Sequence, residues 1–381
     1  MAEKGKIVHI CMTQYSDGWT YQENLLAKYH KILGYDVTLI TSMFCFREGV
    51  LTEDTKTDFL DANGVRVIRL SKKSQGLMKK TPTYLNFLDT LERVCPDIIF
   101  SHGCQYRDTA SVVQYMKNHP AVRLFVDNHA DFSNSAANFI SKHVLHKIIW
   151  KYYAKKLVPY AKKFWGVLPA RVNFLTDIYG IPKEKCELLV MGADDELIAK
   201  MGTKERGRKI RKKYGIDESD FLIVTGGKIN QAKKQTGLLM EAVSNTRDVH
   251  LKLLVFGSID PEIKNKLMKW IDNKKIIYGG WITPERSYEY FAAADLVVFP
   301  GRHSVFWEQA AGQGIPLLVK WWDGTTHINM GGNAEFLYED SVGEIVEKIE
   351  YIHENYALMK KAAMAYAQEF LYSEIAKKSL Q

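Results

Sequence analysis

The 381-residue chain has a formal net charge of +8 and is 46% hydrophobic and 25% charged. It is too long for one ordinary core, so two domains are expected, with three small ones as the alternative, and its apolar content excludes global disorder. The modest positive charge favours an anionic partner without pointing to nucleic acid. Five scattered cysteines (Cys11, Cys45, Cys95, Cys104, Cys186) show no CxxC and no zinc-like spacing, the pattern of reduced thiols in a cytoplasmic protein. The N-terminal residues run straight into an apolar segment with no secretory h-region. Nowhere do about 18 consecutive apolar residues predict a membrane span.

In chain order, apolar runs at 6–12, 36–41, 65–70, 97–102, 122–128 and 164–168 predict strands. Stretches at 21–33, 83–94, 108–118 and 134–158 carry helical spacing between them. A second set follows, with strands at 221–227, 251–257, 275–280, 296–300 and 316–320 and helices at 233–244, 261–271, 284–294 and 305–313. Such alternation predicts parallel βαβ units with helices on both sheet faces. The expected fold is α/β: a doubly wound, Rossmann-like domain over 1–185, a second over 186–355, and helices over 356–381 that cross back to the first. The basic stretch 204–215 opens the second half and reads as a solvated helix face. Ligands of open parallel sheets bind beyond the carboxyl ends of the strands, and a cleft between two such domains is the default substrate site.

The unusual residues fall in the loops after strands. After the first strand of the second half come Gly226 and Gly227, then Lys228, Lys233 and Lys234. Cations at a helix start oppose the macrodipole, so they suit a bound phosphate better than stability alone; a solvated Lys-rich turn is the alternative. Glu308 lies early in an otherwise apolar helix ahead of Gly312, Gly314 and Pro316. A buried acid there needs partners, which a ribose diol would supply, or it simply faces the helix dipole. In the first half, Asp17–Gly18 signals a turn ahead of a helix whose amides can meet phosphate. No GxGxxG accompanies it, which disfavours a nicotinamide cofactor. His129, with Asp131 close by, follows a strand directly, placed to bond a sugar hydroxyl or to cap the next helix.

Taken in series, these segments resemble the GT-B glycosyltransferases of glycosyltransferase family 4. GYDVTLIT (34–41), LLVMGADDELI (188–198), GGKINQAKKQ (226–235), YEYFAAADLVVFPG (288–301) and WEQAAGQGIPLLV (307–319) match that family's motifs in order and spacing. The resemblance implies two Rossmann-like domains facing each other across a cleft. It puts Lys228 and Lys233 at the phosphate-binding Arg and Lys, with Gly227 in the same loop. It puts Glu308 at the second Glu of a Glu–seven residues–Glu motif, the one that holds the ribose. His129 matches the histidine near the donor sugar. Gly18 and Trp19 fall in the loop approaching the phosphates, and Trp281 at the nucleobase. The motif's first Glu is missing, since Pro300 stands eight positions before Glu308 in a shortened loop of Arg302, His303 and Ser304. His303 is the candidate substitute for holding the donor sugar. Gly331 and Gly332 are expected to present amides to the donor.

The implied activity is a hexosyltransferase-type glycosyltransferase. It would move a sugar from a nucleotide-sugar, with UDP-sugar the expected co-substrate, to a glycan or lipid-linked acceptor in cell-surface polysaccharide synthesis. Retention at the anomeric carbon is the family's usual outcome. No paired acids suggest a metal, and two lysines can do a metal's electrostatic work, so neither metal nor other cofactor is expected. Residues 142–163 hold seven lysines and no acid, interleaved with apolar residues. This reads as a helix for an anionic membrane surface, which would make the protein cytoplasmic and peripheral on the inner face of the cell membrane; a solvated helix face is the alternative. No nucleic-acid partner is expected. Two other functions stay open: a nucleotide-sugar epimerase of the same fold, and a non-catalytic nucleotide-sugar-binding scaffold. A phosphorylase would need a pyridoxal lysine, for which no context exists.

Overall fold

The computed structural model describes residues 4–47, 50–73, 82–135 and 138–381. The chain forms two compact units, Met1–Val190 with Ile375–Gln381, and Met191–Glu374. Of the segment 356–381, only the last seven residues therefore lie in the first unit; the helix Tyr356–Tyr366 packs within the second.

The first unit contains β1 (Lys6–Cys11), β2 (Asp36–Ser42), β3 (Phe44–Arg47), β4 (Val50–Glu53), β5 (Asp58–Leu60), β6 (Arg66–Leu70), β7 (Ile98–His102), β8 (Arg123–Asn128), β9 (Ala161–Gly166) and β10 (Cys186–Leu188). Eight of them form one sheet in the order β10-β9-β8-β7-β1-β2-β6-β5, while β3 and β4 pair as a separate hairpin. Within that sheet only β5 pairs antiparallel. Helices on both faces bury its inner strands, so β1 and β2 are buried at every position after the first rather than alternately. One face packs Val8, Ile10, Ile40, Ile99 and Val126 into the larger core, the other Val37, Leu39 and Val67 with Ala27 of the helix Gln22–Ile32.

The second unit contains β11 (Phe221–Gly226), β12 (Leu251–Phe256), β13 (Ile276–Gly280), β14 (Leu296–Phe299), β15 (Leu317–Lys320) and β16 (Ala334–Leu337). All six pair parallel in the order β13-β12-β11-β14-β15-β16. In both sheets the connections run outward in opposite directions from a central pair, β1 with β7 and β11 with β14. These pairs are the switch points, where neighbouring loops diverge and leave a crevice at the carboxyl ends.

Four helix starts differ from the sequence expectation, one of them the helix expected from 284, which begins at Ser287 after the 3-10 turn Pro284–Arg286. The helix expected over 83–94 begins at Phe87, because Tyr84 bridges to Lys72 and donates its hydroxyl to the Met12 carbonyl. The one expected from 134 is wound as a π-helix over Ser141–Trp150 and continues as an α-helix over Lys151–Leu157. The one expected from 233 begins at Thr236, so Lys233 sits on the preceding 3-10 turn, Gln231–Lys233. All five cysteines are free thiols. No helix of the described residues is long and apolar enough to cross a membrane.

Candidate active site

At the switch point of the second unit, glycines let three loops pack backbone to backbone. Gly257 follows β12 with φ +104°, and a Cβ there would lie 2.0 Å from the Gly227 carbonyl oxygen, so only glycine fits. Gly227, φ +102°, donates its amide to the Phe256 carbonyl at 3.1 Å. A Cβ on Gly227 would stand 3.8 Å from the Lys233 ammonium, and one on Gly301 would stand 3.3 Å from the Lys233 Cα. Lys233 is thus seated between the loops that follow β11 and β14. Its side chain is half-buried, and burial pulls its pKa below the ordinary lysine value. Its ammonium has no ion pair among the described residues. Lys228 on the same loop is exposed. Asn230 accepts the Ala232 amide and fixes the turn that carries Lys233.

Glu308 is fully buried in the helix Phe306–Gly312. Its Oε1 accepts hydrogen bonds from His303 Nε2 at 2.8 Å and from His327 Nε2 at 2.9 Å. Burial alone would raise its pKa, but the two imidazoles outweigh that and pull it down to about 2. Glu308 is therefore a permanent anion. Its Oε2, the Trp307 indole nitrogen and His327 Nδ1 are buried without a hydrogen-bond partner among the described residues. His303 turns its Nε2 to Glu308, so only its Nδ1 is left to meet a donor sugar. Ser304 is half-buried beside it, with its carbonyl accepting the Trp307 amide.

The amides of Gly331 and Gly332, expected to face the donor, are already used: both donate to Asn329 Oδ1, at 3.2 and 2.9 Å. Asn329 is two residues from His327, so these glycines lie on the turn that follows the histidine. Trp281, just after β13, is 69% exposed and carries no ring stacking among the described residues, so packing does not account for it.

In the first unit, His129 lies just past β8 with Nε2 3.3 Å from Asp127 Oδ2. Asp127 is fully buried and also accepts from His102 Nδ1 at 2.8 Å and from the Gly103 amide at 2.9 Å. Burial works to raise its pKa, yet His129 and His102 hold it well below the usual carboxylate range. Loss of solvation works to lower the His129 pKa, but Asp127 offsets it and the net shift is upward. His129 does not cap a helix; Asp131 organises the following turn, accepting from the Ser133 and Asn134 amides and from Arg171. Gly18 adopts φ +75° with open space around it. Trp19 stacks on Phe46 at 5.4 Å and meets Tyr21 edge-on, so its ring is a packing element of the loop after β1.

Two histidine–carboxylate–histidine groups, His102–Asp127–His129 and His303–Glu308–His327, bring their ligand-type atoms within 4.8 Å. Ligands around one tetrahedral ion at ordinary bond lengths stand about 3.4 Å apart. The separations of 2.8 and 2.9 Å to Glu308, and of 2.8 Å from His102 to Asp127, are those of charge-assisted hydrogen bonds instead.

A cavity of about 580 Å³ opens in the first unit, lined by Tyr84, Arg107, Asp108, Tyr152, Tyr153 and Lys156 among others. Burial pushes the Asp108 carboxyl up to about 6. Tyr152 also belongs to an exposed apolar stripe at four-residue spacing, Ile140, Val144, Ile148 and Tyr152, extended by Phe139. Its opposite face is buried through Trp150, Ala154 and Leu157 and anchored by His146, which bonds the Tyr179 hydroxyl at 2.7 Å.

Residues 220–355 match the family model described as glycosyl transferases group 1. No curated protein sequence matches the chain. Among solved structures, a glycosyltransferase from Rickettsia africae ESF-5 is 18% identical over 98% of this chain and 96% of its own, with a TM-score of 0.70. Anabaena Alr3699/HepE in complex with UDP is 14% identical over 98% of both chains, with a TM-score of 0.67. The UDP-GlcNAc 2-epimerase of Neisseria meningitidis bound to UDP-GlcNAc is 13% identical over 98% of both chains, with a TM-score of 0.61. The fold is thus that of the GT-B glycosyltransferases, two doubly wound units, and the second unit carries a group 1 glycosyltransferase domain. The glycosyltransferase likeness rests on residues 220–355 of the second unit and on the fold of the whole chain.

Proposed function

We propose that this enzyme transfers a hexosyl group from a UDP-sugar to a hydroxyl of a glycan or lipid-linked acceptor, with retention and without a metal or other cofactor. The observation that carries the reading is Lys233. A half-buried ammonium without an ion pair is costly unless an anion joins it, and it sits at the glycine-lined crossing of two switch-point loops. There it clasps the diphosphate, with the exposed Lys228 adding long-range attraction. The Oε2 of the permanently ionised Glu308 accepts the ribose hydroxyls once the nucleotide opens the way to it, and the exposed Trp281 stacks on the base.

In the reaction the bond from the anomeric carbon to the leaving phosphate oxygen breaks and the bond to the acceptor oxygen forms. The acceptor proton passes to the departing phosphate. Lys233 stabilises the charge that grows there, a role worth about 3–4 kcal/mol for a preorganised donor in comparable sites, and the exposed Lys228 adds a weaker, salt-screened share. His129, positioned by Asp127, donates to a hydroxyl of the transferred sugar.

The cavity lined by Arg107, Lys156 and Tyr152 is our choice for the acceptor, since it pairs cationic groups with the apolar stripe beside it. That stripe, with the lysines of 142–163, supports peripheral attachment to an anionic inner membrane face and a role in cell-surface polysaccharide synthesis. Sedimentation with anionic vesicles at moderate salt tests the attachment; protein left in the supernatant rejects it. The enzymatic reading is tested by screening UDP- and GDP-sugars for thermal stabilisation, then following the best donor with candidate acceptors. Release of UDP coupled to glycosylated product supports transfer. Conversion of the donor's sugar without any acceptor supports the epimerase reading, and binding with no turnover supports the scaffold.

A further inference from the structure

A file of three histidines, His9 and His30 fully buried and His102 nearly so, crosses the first unit from its C-terminal turn to Asp127. His9 on β1, Phe100 and His102 on β7, and Asp127 on β8 occupy one sheet face, as the register pairs His9 with Phe100 and His102 with Asp127. His30 reaches that face from the helix Gln22–Ile32. His102 Nδ1 lies 2.8 Å from Asp127 Oδ2, His9 Nδ1 lies 2.9 Å from His102 Nε2, and His30 Nδ1 lies 2.9 Å from His9 Nε2. At the far end, His30 Nε2 is 2.9 Å from the Ser379 hydroxyl and 3.2 Å from the Ala376 carbonyl. Trp165 holds this turn in place by donating its indole N–H to the Ser379 carbonyl at 3.1 Å.

Counting protons orients the file. Four contacts separate Asp127 from Ser379, and each needs one proton. Three neutral imidazoles bring three, because each ring has one N–H and one lone pair. The Asp127 carboxylate only accepts, so His102 must carry its proton on Nδ1, His9 on its own Nδ1, and His30 likewise. The lone pair on His30 Nε2 then requires a donor, and the Ala376 carbonyl cannot be one. The Ser379 hydroxyl can; it also lies 2.8 Å from that carbonyl and serves one of the two at a time. A neutral file suits its surroundings, since burial drives both His9 and His30 far toward the uncharged form. The charged groups bearing on it are Asp127 directly, and Glu23 and Arg171 through His129.

We infer that Ser379 is a positioning residue for the candidate active site: its hydroxyl supplies the fourth proton, fixes all three histidines as Nδ1–H tautomers, and so presents a donor to Asp127. Without that hydroxyl, the one group left at the far end among the described residues is the Ala376 carbonyl. His30 would then donate to it, all three tautomers would reverse, and His102 would turn a lone pair toward Asp127 Oδ2. The file escapes that clash only by taking up a proton, on Asp127 or on a ring. Either outcome weakens the field that Asp127 exerts on His129, so its titration midpoint falls. The inference rests on the proposed function only in giving His129 a role in the reaction.

The experiment is a two-bond ¹H–¹⁵N correlation on the full chain labelled at histidine, with rings assigned through His9→Gln, His30→Gln and His102→Gln. The expected wild-type result is three neutral Nδ1–H rings, unchanged between about pH 5.5 and 8, in a range where an ordinary imidazole titrates. Ser379→Thr should keep this pattern. Ser379→Ala should convert the rings to Nε2–H or to one imidazolium, and lower the His129 midpoint. Nε2–H or cationic rings in the wild type overturn the inference without any variant having to fold, as does a Ser379→Ala protein with unchanged tautomers and midpoint. None of these readouts involves nucleotide, so failure here is separate from failure of a UDP-sugar to bind or react.

Discussion

Replacing Lys233 with Ala should weaken UDP binding sharply while leaving the unliganded protein as stable as before, or more so. The two effects have one origin. A cation whose folded pKa lies below its ordinary 10.5 costs the folded state stability wherever it is still protonated in both states. Removing it relieves that cost. With UDP bound, the same ammonium faces a diphosphate in a half-buried site. One pair of unit charges about 4 Å apart at an effective dielectric near 20 attracts by about 4 kcal/mol. After desolvation of the phosphate, about 3 kcal/mol should remain, roughly a hundredfold in Kd. The sign with pH follows too: affinity should hold near neutrality and fall once pH rises through the depressed pKa of the free lysine, with proton uptake on binding there. Titration calorimetry in buffers of different ionisation enthalpy measures both quantities. A Lys233→Ala protein that binds UDP within about threefold of wild type, by the same affinity arithmetic, would refute the reasoning.

Lys228→Ala should cost less, about 1 kcal/mol, because the side chain is exposed, and the loss should shrink in high salt; affinity at two ionic strengths checks this. Glu308→Ala leaves His303 and His327 without their shared acceptor. It should lower the stability of the second unit by about 2–4 kcal/mol, read by thermal unfolding, and abolish detectable UDP stabilisation. In the wild type, the stabilisation from Glu308 is present above the ordinary carboxylate pKa and is lost as pH falls toward about 2, so the Glu308→Ala deficit should shrink in acid. Asp127→Asn should drop the His129 midpoint below its wild-type value in an NMR titration, because the carboxylate is what raises it. Trp281→Ala should leave the melting temperature unchanged while weakening UDP, since 69% of the residue is exposed; equal UDP affinity would remove the base-stacking role.

The strands that were legible from sequence are those buried on both faces. KIVHIC and FLIVTG are short, mostly apolar runs, and the pattern holds without knowing the neighbours. β16 escaped because its AEFL segment is only partly covered at Glu335 and Phe336, and FCFR with VLTE because that hairpin stands outside the sheet and is largely uncovered. At the candidate site, the need of Glu308 for partners was readable from a lone acid in an apolar helix. That His303 and His327 would satisfy it was not, since His327 arrives from the loop after β15, 19 positions away. The histidine file is further from view. His9, His30 and His102 lie on three elements up to 93 positions apart, and each reads alone as an ordinary residue. Loop amides were misjudged for a related reason: Asn329 consumes those of Gly331 and Gly332 through a side-chain turn that glycine spacing does not announce.

The return of Ile375–Gln381 to the first unit bears on how the polypeptide matures during synthesis. The sheet around β1 and β7 is translated early, yet the turn that engages Trp165 and His30 emerges only after the whole intervening unit has been made. At about 5–20 residues per second, the early sheet waits roughly ten to forty seconds for its last piece. During that interval the imidazole of His30 and the indole of Trp165 lie uncapped, so the nascent first unit should be sensitive to protease and chaperone until the final helix docks.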